Sequence, residues 1–245
     1  MPSESPLTWL AAGQPNQPFP PARTALAHPN GLLAAGGDLH PRRVLAAYRQ
    51  GIFPWFGEGE PVLWWSPHPR AVVPVGQLHR SRSLQRAWRR ADFAVSSNQA
   101  FTKVLEHCAR IGRGDGVWLT ADMRDAYAEL HQLGHAHSVE IWRAGMLIGG
   151  IYGLRLGRVF FGESMFSHAT NGSKLALIAL EECLRAQGVQ LLDGQVASPH
   201  LLRMGFQLWP RDAFLNALDA LVDISSPPAP WQLAAGLPAG TEHRS

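Results

Sequence analysis

Two apolar runs each carry a carboxylate where hydrophobic side chains would be expected. Val159–Phe166 reads V-F-F-G-E-S-M-F, with Glu163 in its middle. Val189–Val196 reads V-Q-L-L-D-G-Q-V, with Asp193 and Gln195 two residues apart. Side chains on a strand alternate faces with period two. As strands, these runs place Phe161, Glu163 and Met165 on one face, and Leu191, Asp193 and Gln195 on one face. A carboxylate on a buried strand is costly unless it is paired or used. Two of them suggest general acid–base work or the binding of a cationic group. A structural aspartate hydrogen-bonded to backbone is the plain alternative for Asp193.

The elements around these runs set their geometry. The spacing predicts helices over residues 41–50, 98–111, 121–133, 174–187 and 211–222, with a short helix from Ser198 to Gly205. Ser138–Trp142, Leu147–Tyr152 and Val159–Phe166 read as a three-strand meander. The helix over 174–187 then leads to the strand 189–196, and a last strand is expected over Phe206–Trp209. A helix joining two strands implies a parallel pair within an otherwise antiparallel sheet. The fold class is therefore α/β (α+β), with the layout of an N-acetyltransferase-like mixed sheet. In that layout the strands carrying Glu163 and Asp193 are neighbours that splay apart to form the reaction cleft. The division expected is a small N-terminal α/β domain over 1–75, a catalytic domain over 76–224 and a Pro-rich, poorly ordered tail over 225–245.

Bulk properties narrow the classes. The chain has 245 residues, 46% hydrophobic and 17% charged, enough apolar content for a packed core. The net charge of +3 and pI near 9.2 are a mild basic bias, compatible with a nucleic-acid partner without requiring one. The two cysteines, Cys108 and Cys183, lack C-x-x-C spacing and read as reduced thiols. No apolar run reaches 18 residues and the N-terminus lacks a signal-peptide pattern. A soluble cytoplasmic protein without membrane contact follows as the expectation.

Two further stretches bear on binding. Phe53–Trp65 holds five aromatic residues among prolines and glycines. It reads either as a loop packed by its own rings or as a platform for stacking a base. Arg80, Arg82, Arg86, Arg89 and Arg90 fall within eleven residues that contain no acid. Helical spacing gathers most of them on one side, either a solvated face or a phosphate-binding one. His131, His135 and His137 invite a metal reading, but Gly134 should end the helix between them. No metal site and no cofactor is expected. Acyl-CoA enzymes of this fold carry a Q/R-x-x-G-x-G/A signature that this chain lacks.

Six blocks together resemble one family, the leucyl/phenylalanyl-tRNA–protein transferases. They are P-N-G-L-L-A-A-G-G-D-L, A-Y-R-Q-G-I-F-P-W-F, L-W-W-S-P-H-P-R-A-V, L-G-H-A-H-S-V-E-I-W, F-F-G-E-S-M-F-S and L-L-D-G-Q-V, running in the family's order from Pro29. The resemblance implies transfer of Leu or Phe, and Met less well, from aminoacyl-tRNA to the N-terminal Arg or Lys of a protein, marking it for degradation. It implies Asp193 and Gln195 as the catalytic pair and Glu163 as the acidic site residue. It also implies Trp55 against the terminal adenosine, Trp118 as a second site-lining tryptophan, and Ile151, Phe160 and Met165 in the pocket for the donor side chain. The arginines then become the tRNA contact, and the protein a monomer. One departure stands out. The family often has cysteine where this chain has Gly194, which should face away from Asp193.

The implied chemistry is an amine attacking an activated ester, so alignment matters most. An α-amino group has a pKa of about 8, and an ordinary aspartate of about 4. That gap, about 5 kcal/mol, rules out easy deprotonation of the free ammonium by Asp193. The expectation is that Asp193 orients the amine and accepts its proton late, with Gln195 holding geometry; the alternative is relay of the proton by the 2′- or 3′-hydroxyl of the adenosine. Glu163 meets either the acceptor's cationic side chain or the donor's amine.

Overall fold

The computed structural model describes residues 7–110, 119–222 and 231–238. The elements, in chain order, begin with β1 (Thr8–Leu10), β2 (Leu32–Gly36), α1 (Pro41–Arg49), β3 (Phe53–Pro54), β4 (Leu63–Trp65) and β5 (Arg70–Pro74). Next come α2 (Arg82–Arg90), β6 (Ala94–Ser97), α3 (Phe101–Arg110) and α4 (Ala121–Gln132). The meander β7 (Ala136–Arg143), β8 (Met146–Leu156) and β9 (Val159–Ser167) leads into α5 (Gly172–Ala186) and β10 (Leu191–Gln195). The chain closes with α6 (Pro199–Arg203), β11 (Gln207–Trp209) and α7 (Arg211–Leu221).

Two sheets result. The small one runs β1-β2-β4-β3, and the large one β11-β5-β10-β9-β8-β7-β6. In the large sheet β9 and β10 are parallel and the other neighbours antiparallel, as the helix between them requires. One face packs against α5, with Leu84 of α2 and Leu201 of α6. The other packs against α3, α4 and α7, together with α1 and the small sheet. α5 is buried almost all round, which its run of Leu, Ile and Ala permits. It lies close on the sheet because Gly149 in β8 has no side chain: a Cβ there would stand 2.4 Å from the carbonyl carbon of Gly172, the helix's first residue.

Five strands were not anticipated: β2, β3, β4, β5 and β6. β5 is short and bounded by Pro69 and Pro74, so it presents little period-two signal. It lies ahead of residue 75 yet pairs with β10 and β11 in the large sheet. The crossing from the small sheet to the large one therefore falls between Trp65 and Arg70. The aromatic stretch expected as a loop supplies β3 and β4 of the small sheet.

The tail also differs from its expectation where it is described. Trp231 stacks on His137, ring centroids 4.2 Å apart, and Val95 N–H donates to the Pro238 carbonyl at 2.7 Å. A tryptophan and a leucine, Leu237, give this Pro-rich segment enough apolar surface to hold to the core. His137 is buried there, and burial pushes its pKa down to about 3. His131 instead stacks on Phe101, with its Nδ1 2.8 Å from the Ala136 carbonyl oxygen. Cys108 and Cys183 are both buried. Among the described residues no helix is long and apolar enough to cross a membrane.

Candidate active site

The parallel pairing of β9 with β10 lasts only three residues, from Val159↔Leu191 to Phe161↔Asp193. Beyond it the strands part. Glu163 and Gln195 lie just past the last pair, on the two sides of the opening. A register irregularity sits at the same point of β9. Tyr152 of β8 faces Ser164 while Gly153 faces Gly162, so Glu163 is the extra residue of a bulge.

The bulge changes which face later residues take. Phe161 belongs to the core beneath α3 and α4, whereas Met165 packs with Ile151 on the α5 side. Strict alternation had put Phe161, Glu163 and Met165 on one face. Glu163 stays on the Phe161 side, toward α1 and α4, and the extra residue delivers Met165 to the opposite side of the sheet.

Glu163 is surrounded by hydroxyls. Tyr48 of α1 lies 2.7 Å from its Oε1, and Tyr127 of α4 lies 2.7 Å from its Oε2. The two tyrosine oxygens are themselves 2.7 Å apart. Gln195 Nε2 donates to Oε1 at 2.8 Å. Burial pushes the Glu163 pKa up to about 7, against the lowering effect of the Tyr127 and Tyr48 hydroxyls. The charge of Asp193 raises it further and the Gln195 amide lowers it. Burial, and then the Glu163 charge, hold the phenols of Tyr48, Tyr127 and Tyr152 well above the usual range.

Asp193 is placed differently. It is fully buried, and Arg70 of β5 reaches it with both arms: Nε donates to Oδ1 at 2.9 Å and Nη2 to Oδ2 at 2.7 Å. Gln195 N–H donates to the same Oδ1 at 2.8 Å. That bond fixes the sharp turn by which Gln195, with φ +60°, leaves β10 and aims its amide at Glu163. Arg70 also donates to the Gly51 carbonyl and lies between the rings of Phe53 and Phe214, 4.9 and 4.6 Å from their centres. A chain of contacts thus runs Arg70, Asp193, Gln195, Glu163, Tyr48 and Tyr127. Arg70, Tyr48 and Tyr127 carried no sequence signal of a role. Their partners lie 123, 115 and 36 residues away along the chain.

The opening widens into a cleft of about 1010 Å³. Ile151, Met165, Leu177 and Leu192 form an apolar wall, with Leu201 and Phe206 beside Gly194. Gly194 does face away from Asp193: a Cβ there would stand 2.7 Å from the Phe206 ring and 2.9 Å from Leu201. Phe206 therefore occupies the space that a cysteine side chain would need. Phe160 does not reach the cleft. It is fully buried in the core and lies beneath Trp231. At the mouth Trp55 is exposed, and Trp65, 5.7 Å from it between centroids, donates its indole N–H to the Trp55 carbonyl. Trp118 falls outside the described residues.

The arginine group divides. Arg82, Arg86, Arg89 and Arg90 stand exposed on α2, while Arg80 is half-buried and binds Glu181 and Glu182, each at 2.7 Å. Arg90 approaches Asp92 at 3.9 Å, and the other three have no ion pair among the described residues.

Comparison with known proteins places this arrangement. The family model for the leucyl/phenylalanyl-tRNA protein transferase matches residues 72–219, and the model for that family's N-terminal domain matches residues 37–68. The chain belongs to the leucyl/phenylalanyl-tRNA–protein transferase family. It is thereby an enzyme, a transferase. Its relatives of that name include one from Xylella fastidiosa (strain M23), 50% identical over 230 residues that make up 93% of this chain and 95% of the relative. A second, from Stutzerimonas stutzeri (strain A1501), is 51% identical over 227 residues, 92% of this chain and 99% of the relative. Among solved structures, L-PGS from Bacillus licheniformis is 11% identical with a TM-score of 0.41, covering 63% of this chain and 65% of its own. The matched region of the transferase family takes in every residue of the contact chain from Arg70 to Tyr127 except Arg70 itself and Tyr48, and Tyr48 lies within the N-terminal match.

Proposed function

We propose that this transferase moves Leu or Phe, and Met less well, from aminoacyl-tRNA to the N-terminal Arg or Lys of a protein. The new peptide bond marks the acceptor for degradation, and the enzyme works as a cytoplasmic monomer. The observation that carries this reading is the meeting of an apolar cleft wall with a polar pair, Glu163 and Gln195, at the point where β9 and β10 part.

Ile151, Met165, Leu177 and Leu192 suit an aliphatic or aromatic apolar side chain and offer nothing to a polar one. With the side chain held there, its ester carbon falls near the Glu163–Gln195 pair. Trp55 at the mouth presents a ring face for the terminal adenosine. The exposed arginines of α2 hold tRNA phosphates without reading sequence. The reaction needs little beyond alignment, because the ester is already activated.

The role of Asp193 is then positional. Its carboxylate is buried and held by the Arg70 fork and the Gln195 N–H, so it shapes Gln195 and does not touch the amine. Gln195 then meets the substrate beside Glu163, to which its amide donates. The acceptor's cationic side chain finds acidic partners at the rim, where Glu58 and Glu60 are exposed.

Label transfer tests the reading. Labelled leucyl-tRNA is mixed with this protein and two acceptors that differ only in N-terminal Arg or Ala. Label is expected on the Arg acceptor alone, and ribonuclease pretreatment of the donor should abolish it. Equal labelling of both acceptors, or none, overturns it.

A further inference from the structure

Three side chains of the site are joined by three contacts among four oxygen atoms, and each contact needs a proton. The Tyr48 and Tyr127 oxygens lie 2.7 Å apart, and each lies 2.7 Å from one oxygen of Glu163. Contacts of this length between oxygens are hydrogen bonds, and each requires one hydrogen between the pair. The two phenols supply two. Gln195 Nε2 donates a separate N–H to Oε1 and contributes nothing to the three contacts. With Glu163 ionised, two hydrogens would serve three contacts, and one pair of lone pairs would face each other at 2.7 Å in a buried place. A third hydrogen on the carboxyl closes the circle. Glu163 Oε2–H then donates to Tyr127, Tyr127 to Tyr48, and Tyr48 to Oε1, the oxygen that also accepts from Gln195.

We propose that Glu163, Tyr48 and Tyr127 form a closed ring that stores one proton on Glu163 in the resting site and exchanges it during aminoacyl transfer. The proposal rests on the transfer reaction proposed above. In that reaction the neutral amine nitrogen bonds to the ester carbon and the ester C–O bond breaks, its electron pair going to the ribose oxygen. Glu163 gives its proton to that oxygen as it leaves, and the proton released by the amine returns to Glu163. Atoms and charge balance within one turnover, with no co-reactant.

The surroundings agree with a neutral ring. Glu163 is faced by Tyr48 from α1, Tyr127 from α4, Tyr152 from β8, and Asp193 and Gln195 from β10. None of these is a cation. Among the described residues the buried cation next to this group, Arg70, is committed to Asp193. Burial and then the Asp193 charge favour the protonated carboxyl over the lowering effect of the two phenols, so Glu163 holds its proton below about pH 7 and is half protonated there. Hydrogen bonds arranged head to tail in a ring also strengthen one another. A carboxyl in this state makes a poor partner for the acceptor's guanidinium, and a good acid at the cleft wall. Asp193 cannot share the task, since its oxygens face Arg70 and the Gln195 N–H.

The test uses the whole ligand-free protein, labelled with ¹³C at glutamate carboxyls and titrated by NMR from pH 5 to 9. One glutamate resonance is expected to titrate with a midpoint near 7, and Glu163→Gln should remove that resonance alone. If no glutamate carbon in the wild-type protein has a midpoint above about 6, the ring holds no proton and the proposal fails, whether or not the variant folds. In the transfer assay Glu163→Gln should lower kcat tenfold or more with KM for charged tRNA within twofold. A raised KM with unchanged kcat would make Glu163 a binding group only and overturn the exchange step. Absence of transfer by the wild type, with the titration as expected, would count against the proposed reaction and leave the stored proton standing.

Discussion

The guanidinium of Arg70 holds both carboxylate oxygens of Asp193, at 2.9 and 2.7 Å, with neither side chain open to solvent. A fork-on-carboxylate pair fixes direction as well as distance, which a point charge does not. The direction matters because Asp193 Oδ1 also accepts from the backbone of Gln195. Arg70→Lys keeps the charge and loses the fork. Transfer should fall about a hundredfold, as expected when a reacting group is displaced by about 1 Å. The fold should survive, as judged by circular dichroism. Arg70→Met leaves a buried, unpaired carboxylate, and should lower unfolding free energy by about 3–5 kcal/mol in urea titration.

Glu163 makes stability depend on pH in a defined direction. Its folded pKa, near 7, exceeds the ordinary 4.5, so the folded protein holds this proton more tightly than the unfolded chain. Unfolding releases the proton between these values, so stability falls as pH rises from about 4.5 to about 7. Below that window the loss is absent, and above it the loss is complete. Glu163→Gln has no such proton. The melting temperature of the wild type relative to this variant should therefore be higher at pH 5 than at pH 8, in paired calorimetric scans. A difference that does not change with pH would mean that Glu163 is ionised throughout.

Gly149 tests how closely α5 must sit on the sheet. A methyl group there would meet the Gly172 carbonyl carbon at 2.4 Å and its oxygen at 2.6 Å. Both are backbone atoms, so no rotamer change relieves the contact. Gly149→Ala should cost at least the 1–3 kcal/mol typical of overpacking, read as a lower urea midpoint. Gly145→Ala, in the β7–β8 turn, meets nothing within 4 Å and is strained only through its φ of +74°. It should cost less, about 1 kcal/mol.

What could be read in the sequence, and what could not, follows from the range of each interaction. The meander, the helix after it and the parallel partner strand are written in local periodicity, and all stand where the spacing put them. Glu163 and Gln195 meet as the two-strand argument required. Period-two reasoning fails at Met165 because a bulge adds one residue without changing composition. Arg70 was hidden for another reason. It stands between Pro69 and a short apolar run that looks like the end of a loop, and its partner is 123 residues away. Phe160 was assigned to the pocket by resemblance, and the alternation that sends Phe161 to one core sends Phe160 to the other. The tail looked unable to pack by composition, yet one tryptophan suffices to anchor its described part.

The arginine cluster shows the same limit and allows a controlled prediction. The segment Arg80–Arg90 contains no acid, but Glu181 and Glu182 come to Arg80 from α5, about a hundred residues on. Its charge is thus engaged within the protein, and burial of its neighbours makes the pair structural. Arg82, Arg86 and Arg89 have no such partner among the described residues and stay exposed. If these three hold tRNA phosphates, each contact releases condensed counterions, and log K should fall with log salt by about 0.7–0.9 per contact. Replacing Arg82 and Arg86 by alanine should flatten the slope by about 1.4–1.8 between 50 and 200 mM salt. Arg80→Ala should leave the slope unchanged while lowering the melting temperature, because it removes an internal bond and no phosphate contact. Filter binding of charged tRNA across that salt range reads both. A slope that changes with Arg80 and not with Arg82 and Arg86 would place the phosphate contact at the α2–α5 junction, away from the exposed face of α2.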